Sequence, residues 1–361
     1  MKKPDKSAYY DPYSPTDRSS GSIAVSLLIL VSFIAVMIAA SVVYLNRWFG
    51  SAARELQTNR THAELDVALV KLISHLASDP TPESDSLSDP VWSWIADTTS
   101  PRMTLVDVSS RIDPNWVRRD VFDLTGLRNL FSPDESVSGS PSAFLQQHRI
   151  DHGFYAAVSQ GYGMLFSPKV IAAYLTPWGY ANINLTDEFA LQKLYEIRTG
   201  NQAASEVFHT EIQQLLRERQ LVSEQGLRSF LGPDYDRLYP VVNALPWWNV
   251  HFLPALILRD ILAYPAYHVK DPQMKAQQIL AIRTQSEISP DQLVQIIGLP
   301  SGHVIYQYLG TTTWFWKATI EINGTTLEAV ICRLPPDFPS DSQGGGSSVA
   351  HFRVVSRRYS Q

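Results

Sequence analysis

Residues 22–45 read SIAVSLLILVSFIAVMIAASVVYL, a run of 24 positions without a charge, a proline or a glycine. As an α-helix this run is about 36 Å long, because each residue adds about 1.5 Å. The hydrocarbon core of a bilayer is about 30 Å thick. The run therefore predicts one transmembrane helix, and the residues after Arg47 form a body that this helix carries.

The polar leader at residues 1–21 differs from that of an ordinary secretory signal. Such a signal has a shorter apolar core, with small residues after it. Here the small residues Ser20 and Gly21 come before the apolar run. Because most of the chain follows the run, we expect a cytoplasmic N-terminus and a C-terminal body on the other side of the membrane.

Composition restricts the class of protein. The chain has 361 residues, of which 45% are hydrophobic and 18% charged, as in a globular body with a core. A net charge of -5 disfavours a nucleic-acid partner. Cys332 is the one cysteine, so neither an intrachain disulfide nor a cysteine zinc cluster can form.

The helix is predicted to continue beyond the membrane as an amphipathic stem. Five apolar residues after the run follow the spacing i, i+4, i+7, i+8 and i+11, which places them on one helix face. They are Leu65, Leu69, Leu72, Ile73 and Leu76. Asp79-Pro80 predicts the end of the stem, and residues 80–90 are interpreted as a linker.

Two distant segments have strand patterns. Residues 103–108 form a short one, and residues 314–333 read strand, Asn-Gly turn, strand. Asn-Gly between alternating strands is the strongest short-range hairpin signal. Residues 351–358 predict a further strand, and the pattern between about 120 and 300 is mostly helical.

Gly21, Ser22 and Ser26 give the apolar run a more specific resemblance. A basic leader that ends in Gly before an apolar helix resembles the class III signal cleaved by prepilin peptidase, which type IV pilins and type II secretion pseudopilins share. Most of these proteins carry Glu at the fifth mature position, which here is Ser26. The K-type minor pseudopilins characteristically lack that Glu. The resemblance therefore implies processing between Gly21 and Ser22.

The segment after the first strand resembles a K-type signature, in which an Asp is followed by Gly-Arg, a hydrophobic residue and Asn-x-Asn. Asp107, Arg111, Ile112 and Asn115 match it, with Ser110 in place of the Gly. Asp113 replaces the first Asn. We expect this signature turn to close by hydrogen bonds from the backbone to side chains.

Two Asn-led entries into apolar helices form a weak internal repeat. They are Asn182-Ile183-Asn184-Leu185-Thr186 and Asn249-Val250-His251-Phe252-Leu253. The Asn or Thr can cap the exposed amides at a helix start. K-type proteins carry similar entries in a large helical insertion, although ordinary capping explains these residues equally well. The pair Trp247-Trp248 is interpreted as core or inter-repeat packing.

The resemblance implies a pilin-like α+β fold with a long N-terminal transmembrane helix, a small antiparallel sheet and a large helical insertion. The expected segments are a prepilin-type leader (1–21), the transmembrane and stem helix (22–79), the first part of the α+β domain (91–118), the helical insertion (119–300) and the C-terminal β part (301–361).

The implied function is that of a non-catalytic minor pseudopilin at the tip of a type II secretion pseudopilus, where it helps to initiate assembly and protein export. Its implied partners are the membrane, prepilin peptidase and other minor pseudopilins, with no small-molecule substrate. The implied location is the inner membrane, with the body in the periplasm. A role in a type IV pilus stays open.

The sequence contains no Gly-x-Ser-x-Gly, Walker or dinucleotide-binding motif. His148 and His152 lack the Glu of a zinc-protease motif and are interpreted as solvated or packed. The resemblance implies no cofactor. The acidic pairs Asp85/Asp89 and Asp234/Asp236 are interpreted as solvated loops, with calcium coordination as the alternative.

Two other functions stay open. One is a single-pass membrane-anchored envelope protein with an external binding domain, and the other is a membrane-anchored hydrolase. Pairing of residues 103–108 with the hairpin at 314–333 beside the N-terminal helix distinguishes the predicted architecture from others.

Overall fold

The computed structural model describes residues 17–118, 147–149, 153–154, 166–239, 241–335 and 352–360. The chain divides into two compact units, residues 1–63 and residues 64–361.

The described helices and strands are as follows in chain order. The helices are α1 (Asp17–Ala77), α2 (Pro90–Asp97), α3 (Pro168–Tyr174), α4 (Glu188–Thr199), α5 (Gln202–Glu218), α6 (Glu224–Leu231), α7 (Tyr235–Leu238), α8 (Ala255–Ala263), α9 (Pro272–Ile282), α10 (Pro290–Ile297) and α11 (Ile305–Tyr308), with 3₁₀ turns at Gly232–Asp234 and Pro265–Tyr267. The strands are β1 (Arg102–Asp107), β2 (Ala181–Asn182), β3 (Val242–Asn243), β4 (Trp248–Asn249), β5 (Leu309–Gly310), β6 (Phe315–Ile322), β7 (Thr325–Arg333) and β8 (Phe352–Ser360).

The first unit is dominated by helix α1. Its side chains from Ile23 to Leu45 are exposed, and the part of α1 from Ile23 onward is long and apolar enough to cross a membrane. Continuous apolar exposure of this extent is unusual for a surface in water and suits contact with lipid. The helix begins at Asp17, so helical backbone runs through the predicted boundary at Gly21–Ser22.

The second unit contains the antiparallel sheet, whose strand order in the described residues is β1-β6-β7-β8. Leu105 of β1 lies opposite Ala318 of β6. The hairpin between β6 and β7 turns at Asn323 and Gly324, both with positive φ (52° and 79°). Glycine and asparagine adopt this conformation at low cost. The predicted pairing, the Asn-Gly turn and the additional C-terminal strand are therefore confirmed.

The C-terminal part of α1 packs on one face of this sheet. Leu65, Leu69, Leu72 and Leu76 are at most 3% exposed and lie in one core with Leu105, Trp316 and Ile320. Full burial of a leucine stabilises a fold by about 1.5–3 kcal/mol. The predicted amphipathic stem is confirmed, and it ends at Ala77.

The interpretation of residues 80–90 as a linker is wrong. Ser84, Asp85 and Ser86 are each 1% exposed. Thr311 accepts a backbone hydrogen bond from Asp85 at 2.8 Å. This acidic, serine-rich segment is buried because its polar groups find partners in the body.

Helices α3 to α11 lie between β1 and β6 in the sequence and build two cores. One contains Leu191, Leu194, Phe208 and Leu227. The other is centred on residues of α8 to α11, including Ile257, Ile261, Ile279, Leu293 and Ile305. The chain is therefore α+β, with a long apolar N-terminal helix, a small antiparallel sheet and several helices. Residues 119–146 of the predicted insertion lie outside the described residues.

Candidate functional site

Asp107 closes the signature turn directly after β1. Its Oδ1 accepts hydrogen bonds from the N–H groups of Ser109 (2.7 Å) and Ser110 (2.9 Å) and from the Ser109 hydroxyl (3.0 Å). Its Oδ2 accepts from the hydroxyls of Ser110 and Thr313, the latter at 3.0 Å. Burial raises the pKa of Asp107, whereas these hydrogen bonds favour the ionised form.

Ser110 extends this network to Asn249. The Asn249 N–H donates to Ser110 Oγ at 2.9 Å. Asn249 Nδ2 donates to Thr313 Oγ1 (3.0 Å) and to the Asp85 carbonyl (2.8 Å). These bonds fix the end of β1, β4, the segment before β6 and the loop at residues 80–89 to one another.

Arg111 and Asn115 make separate contacts. Arg111 Nη1 donates to the Ala172 carbonyl at 2.6 Å. Burial lowers the pKa of Arg111, although the negative charge of Asp107 partly raises it again. The Asn115 N–H donates to Asp113 Oδ1 at 2.8 Å. The three signature residues thus hold backbone segments in place and do not converge on one reacting atom.

A second turn in the signature segment, led by Asp113, is the first of three similar turns. They are led by Asp113, Asn182 and Asn249 and are termed here the Asx turns. In each, Oδ1 of the leading residue accepts from the N–H two residues later, and its carbonyl accepts from the N–H four residues later. The Oδ1 donors are Asn115 (2.8 Å), Asn184 (2.8 Å) and His251 (2.9 Å), and the carbonyl donors are Val117 (3.0 Å), Thr186 (2.8 Å) and Leu253 (2.9 Å).

Each Asx turn lies beside a short parallel pairing with a later segment. Ile112 bridges Leu175, β2 pairs with β3, and β4 pairs with β5. Parallel pairing of this kind joins segments that are distant in sequence. The predicted repeat is therefore a real structural repeat, and Asp113 begins a third copy that the sequence analysis did not recognise.

The expectation that the Asn or Thr caps the following helix is wrong. Asp187 caps α4, and its Oδ1 accepts from the N–H groups of Phe189 (3.1 Å) and Ala190 (3.2 Å). Pro254 precedes α8 without a side-chain cap. Asn182 and Asn249 lie too far before their helices to reach the free amides, which belong to the first helical turn.

A small cavity of about 20 Å³ lies against the first Asx turn. Its lining includes Arg111, Asp113, Trp116, Trp178, Asn243 and Trp247. Asp113 is 8% exposed and Asn243 is fully buried. Among the described residues, Asp113 Oδ2 and Asn243 Nδ2 have no hydrogen-bond partner. Two of the residues around this cavity therefore each carry a buried polar atom without a partner, an acceptor on Asp113 and a donor on Asn243.

The acidic pair Asp85/Asp89 is buried, so its interpretation as a solvated loop is wrong. Asp85 Oδ1 and Oδ2 accept from Arg333 Nη2 (2.6 Å) and Nη1 (2.9 Å). Carboxylate oxygens of Asp79, Asp85 and Asp89 lie within 4.8 Å of one another. A calcium ion there would have to displace the Arg333 guanidinium from Asp85, so the donor set does not fit calcium while this pair is intact.

The second acidic pair also has a protein partner. Asp234 accepts a hydrogen bond from the Tyr195 hydroxyl, and its carboxylate lies 3.8 Å from Arg237. The Tyr195 contact joins the 3₁₀ turn at Gly232–Asp234 to α4, whereas the Arg237 contact is local to that turn and α7. Asp236 is exposed, as expected for a solvated acidic residue.

The predicted processing residues Gly21 and Ser22 lie in helix α1 of the first unit. Cleavage between them stays a prediction. His148 falls in the described segment 147–149, whereas His152 lies outside the described residues.

Sequence reasoning missed Asp113 and Asn243 as candidate site residues. Asp113 entered only as a replacement within the signature, and Asn243 matched no pattern. The spacing of Asp113, Asn182 and Asn249, 69 and 67 residues apart, is the signal that could have identified the first turn. The role of Asn243 follows only from the pairing of β2 with β3.

No protein-family model matches this chain, and a search of curated proteins gives no match.

Proposed function

We propose that this chain is a non-catalytic K-type minor pseudopilin that lies at the tip of a type II secretion pseudopilus and helps to initiate its assembly. It is anchored in the inner membrane by α1, with the N-terminus in the cytoplasm and the body in the periplasm. Its partners are other minor pseudopilins and prepilin peptidase, and it needs no cofactor.

One structural observation carries most of the support for this proposal. β1 and β6 are adjacent antiparallel strands, yet the helices from α3 to α11 separate them in the sequence. The end of the apolar N-terminal helix packs on the same sheet. A pilin-like domain with a helical insertion between two neighbouring strands has this organisation.

Ser26 supports the tip position. A carboxylate within a membrane helix is costly and needs a partner, and pilins carry Glu at this position to pair with a neighbouring subunit. A subunit with Ser26 has no such requirement. It can therefore occupy an end of the filament, where a neighbour is missing.

The N-terminus of the membrane form tests this proposal. The full chain is produced in cells with active prepilin peptidase and in matched cells without it, and intact mass is measured. We expect a chain that begins at Ser22 in the first cells and at Met1 in the second. Gly21→Leu is the matched variant and should retain Met1 in both. A wild-type chain that keeps Met1 in the presence of the peptidase contradicts the proposal.

Copurification tests the role after processing. The processed chain, crosslinked in membranes and solubilised, should bring down other minor pseudopilins of the same system. A processed chain that binds none of them contradicts the tip role while leaving the processing intact.

The cavity beside Asp113 favours a second candidate, an envelope protein with an external binding domain. This candidate predicts ligand binding without processing at Gly21. The mass measurement therefore separates the two functions.

A further inference from the structure

The apolar part of helix α1 ends in a short aromatic segment. The side chains of Tyr44, Trp48 and Phe49 are all more than half exposed, and the Trp48 and Phe49 rings meet edge to face with 5.2 Å between their centroids. Tyrosine and tryptophan are enriched where a membrane helix crosses the level of the lipid headgroups. The segment therefore marks the membrane surface that follows the apolar run.

Two arginines follow the run before any acidic residue does. The sequence has no charged residue between Arg18 and Arg47, the next one is Arg54, and the first acidic residue after the run is Glu55. Lys and Arg are ordinarily sparse next to a membrane helix on the side away from the cytoplasm. With the body on that side, Arg47 and Arg54 run against the usual distribution and need a partner at the membrane surface.

Arg47 and Arg54 lie on one face of α1, termed here the basic face. They are seven residues apart, which is close to two full helical turns and about 10.5 Å along the axis. No acidic residue lies three or four positions from either arginine in the sequence. Ion pairs within a helix use these spacings, so the helix itself supplies no such pair to neutralise the basic face.

The Arg54 side chain folds back along the basic face toward the apolar run. Its Nε donates to the Gly50 carbonyl, four residues earlier, at 3.1 Å. Side chains on a helix lean toward its N-terminus, and this bond holds the guanidinium group one turn nearer to the run than the Arg54 backbone. The charge of Arg54 therefore lies closer to the headgroup level than its position in the sequence suggests.

The basic face leaves space between its two charges. Gly50 and Ser51 are the residues on this face between Arg47 and Arg54. A Cβ added at Gly50 would meet no described side chain within 4 Å, and Ser51 Oγ turns back to donate to the Trp48 carbonyl at 2.8 Å. A group beside the helix can therefore reach both arginines without displacing a bulky side chain.

Charge and position select the partner. A guanidinium group donates in a planar fork that matches the oxygens of a phosphate. Two such groups at headgroup level complement a lipid with a net negative charge. The exposed apolar side chains from Ile23 to Leu45 offer a surface to the acyl chains of the same molecule.

We propose that Arg47 and Arg54 form a binding site for the headgroup of an anionic phospholipid. The phosphate oxygens accept hydrogen bonds from the two guanidinium groups, and the acyl chains lie along α1. The inference rests on the anchoring of α1 in a bilayer, which is part of the proposed function, but not on processing at Gly21 or on the tip position.

Lipid retention tests the site. The full chain is reconstituted into nanodiscs with equal amounts of phosphatidylglycerol and phosphatidylcholine, which share the phosphate but differ in net charge. Native mass spectrometry then counts the lipids retained by the released protein. We expect phosphatidylglycerol to exceed phosphatidylcholine by about fivefold or more, because one arginine near an anionic surface contributes about a fivefold factor. Equal retention overturns the proposal.

Paired variants locate the site. Arg47→Gln/Arg54→Gln should bring the ratio of the two lipids to about one. Arg217→Gln/Arg259→Gln is the matched control, because it removes the same charge from exposed positions on α5 and α8 and should keep the excess. An excess that survives in the first variant, or that falls equally in the control, overturns the proposal.

Inorganic phosphate separates a lipid site from a general phosphate site. Millimolar phosphate, compared with sodium chloride of the same ionic strength, should leave the excess of phosphatidylglycerol unchanged. Loss of the excess with phosphate alone overturns the lipid assignment. The intact mass in the same samples reports processing separately, so a chain that begins at Ser22 without the lipid preference contradicts only this inference.

Discussion

Arg333, the last residue of β7, forms a buried bidentate ion pair with Asp85 in the loop after α1. The two N–O distances are 2.6 and 2.9 Å, and both side chains are less than 5% exposed. Arg333 Nη1 also donates to the Pro82 carbonyl at 2.7 Å. One guanidinium therefore fixes the loop at residues 80–89 to the sheet.

Arg333→Met should destabilise the chain strongly. The methionine keeps much of the apolar stem but leaves the Asp85 carboxyl buried without its cation. Breaking a buried pair in this way costs about 3–5 kcal/mol. The free energy of unfolding, measured by denaturant titration of the detergent-solubilised chain with tryptophan fluorescence, should fall by that amount.

Lys317→Met is the matched control for this variant. Lys317 Nζ lies 3.0 Å from Glu328 Oε1, but the two side chains are 41% and 43% exposed. An exposed pair contributes less than about 1 kcal/mol. Equal losses for the two variants would show that burial does not determine the contribution of Arg333.

Asp113→Asn should stabilise the chain and reduce its dependence on pH. Burial raises the pKa of Asp113 from 3.8 to about 7. The hydrogen bond from the Asn115 N–H and the positive charge of Arg149 lower the pKa, but by less than burial raises it. Between about pH 4 and 7 the folded chain therefore binds a proton that the unfolded chain has lost. Its contribution to stability falls as pH rises through this window, by at most about 1.4 kcal/mol per pH unit.

Unfolding titrations at pH 4.5, 5.5, 6.5 and 7.5 on both proteins check this prediction. Other buried carboxyls, such as Asp89, are present in both, so the difference between the curves isolates Asp113. The advantage of Asp113→Asn should grow with pH and level off above about pH 7. Parallel curves would contradict the raised pKa.

Cys332 should be inert in the folded chain. It is 3% exposed, its Sγ lies 2.8 Å from the Tyr180 hydroxyl, and burial raises the pKa of the thiol to about 11. Because the thiolate is the reactive form, a thiol reagent should label no cysteine under native conditions. It should label one per chain after denaturation.

Glu321→Cys provides the positive control for labelling. Glu321 lies on β6 and is exposed. This variant should react with one equivalent of reagent at once and with a second only on unfolding. Rapid labelling of wild-type Cys332 would contradict its position in the core.

Local patterns made the stem, the sheet and its turn predictable. Leu65 to Leu76 repeat with helical spacing, and Asn323-Gly324 is a turn that few other pairs can form. The helical spacing of the leucines matches the buried face of the stem, and the backbone preference of Asn-Gly matches the turn. Local preference and final fold therefore agree. Even the pairing of β1 with β6 followed from two strand patterns, although the resemblance to pilins was needed to bring them together.

The loop at residues 80–89 and the cavity could not be predicted in this way. The polar composition of the loop predicts that Asp85 is solvated. Asp85 is buried because it pairs with Arg333, which lies 248 residues away in the sequence. Asn243 becomes a candidate only when β3 pairs with β2. Long-range polar contacts of this kind leave no periodic signal in the sequence.

Asn249→Ala should cost far more than loss of an ordinary helix cap. Asn249 is fully buried and makes three side-chain hydrogen bonds, to His251, Asp85 and Thr313. Each partner left buried and unpaired costs about 1–3 kcal/mol. Asn201→Ala, which removes an exposed cap 3.0 Å from the Ala204 N–H, should cost about 1 kcal/mol.

The reciprocal exchange tests whether the Asx turns are equivalent. Asp113→Asn removes a buried ionisable carboxyl whose pKa is raised and supplies the side chain found in the second and third turns, so it should stabilise at pH 7.5. Asn249→Asp removes the amide that donates to the Asp85 carbonyl at a fully buried position. It should destabilise at pH 7.5, because an ionised carboxylate cannot donate to that carbonyl. Denaturant titrations at pH 7.5 compare the two variants. Changes of the same sign would mean that the leading residue does not determine the environment of its turn, and that the free oxygen of Asp113 has no special role.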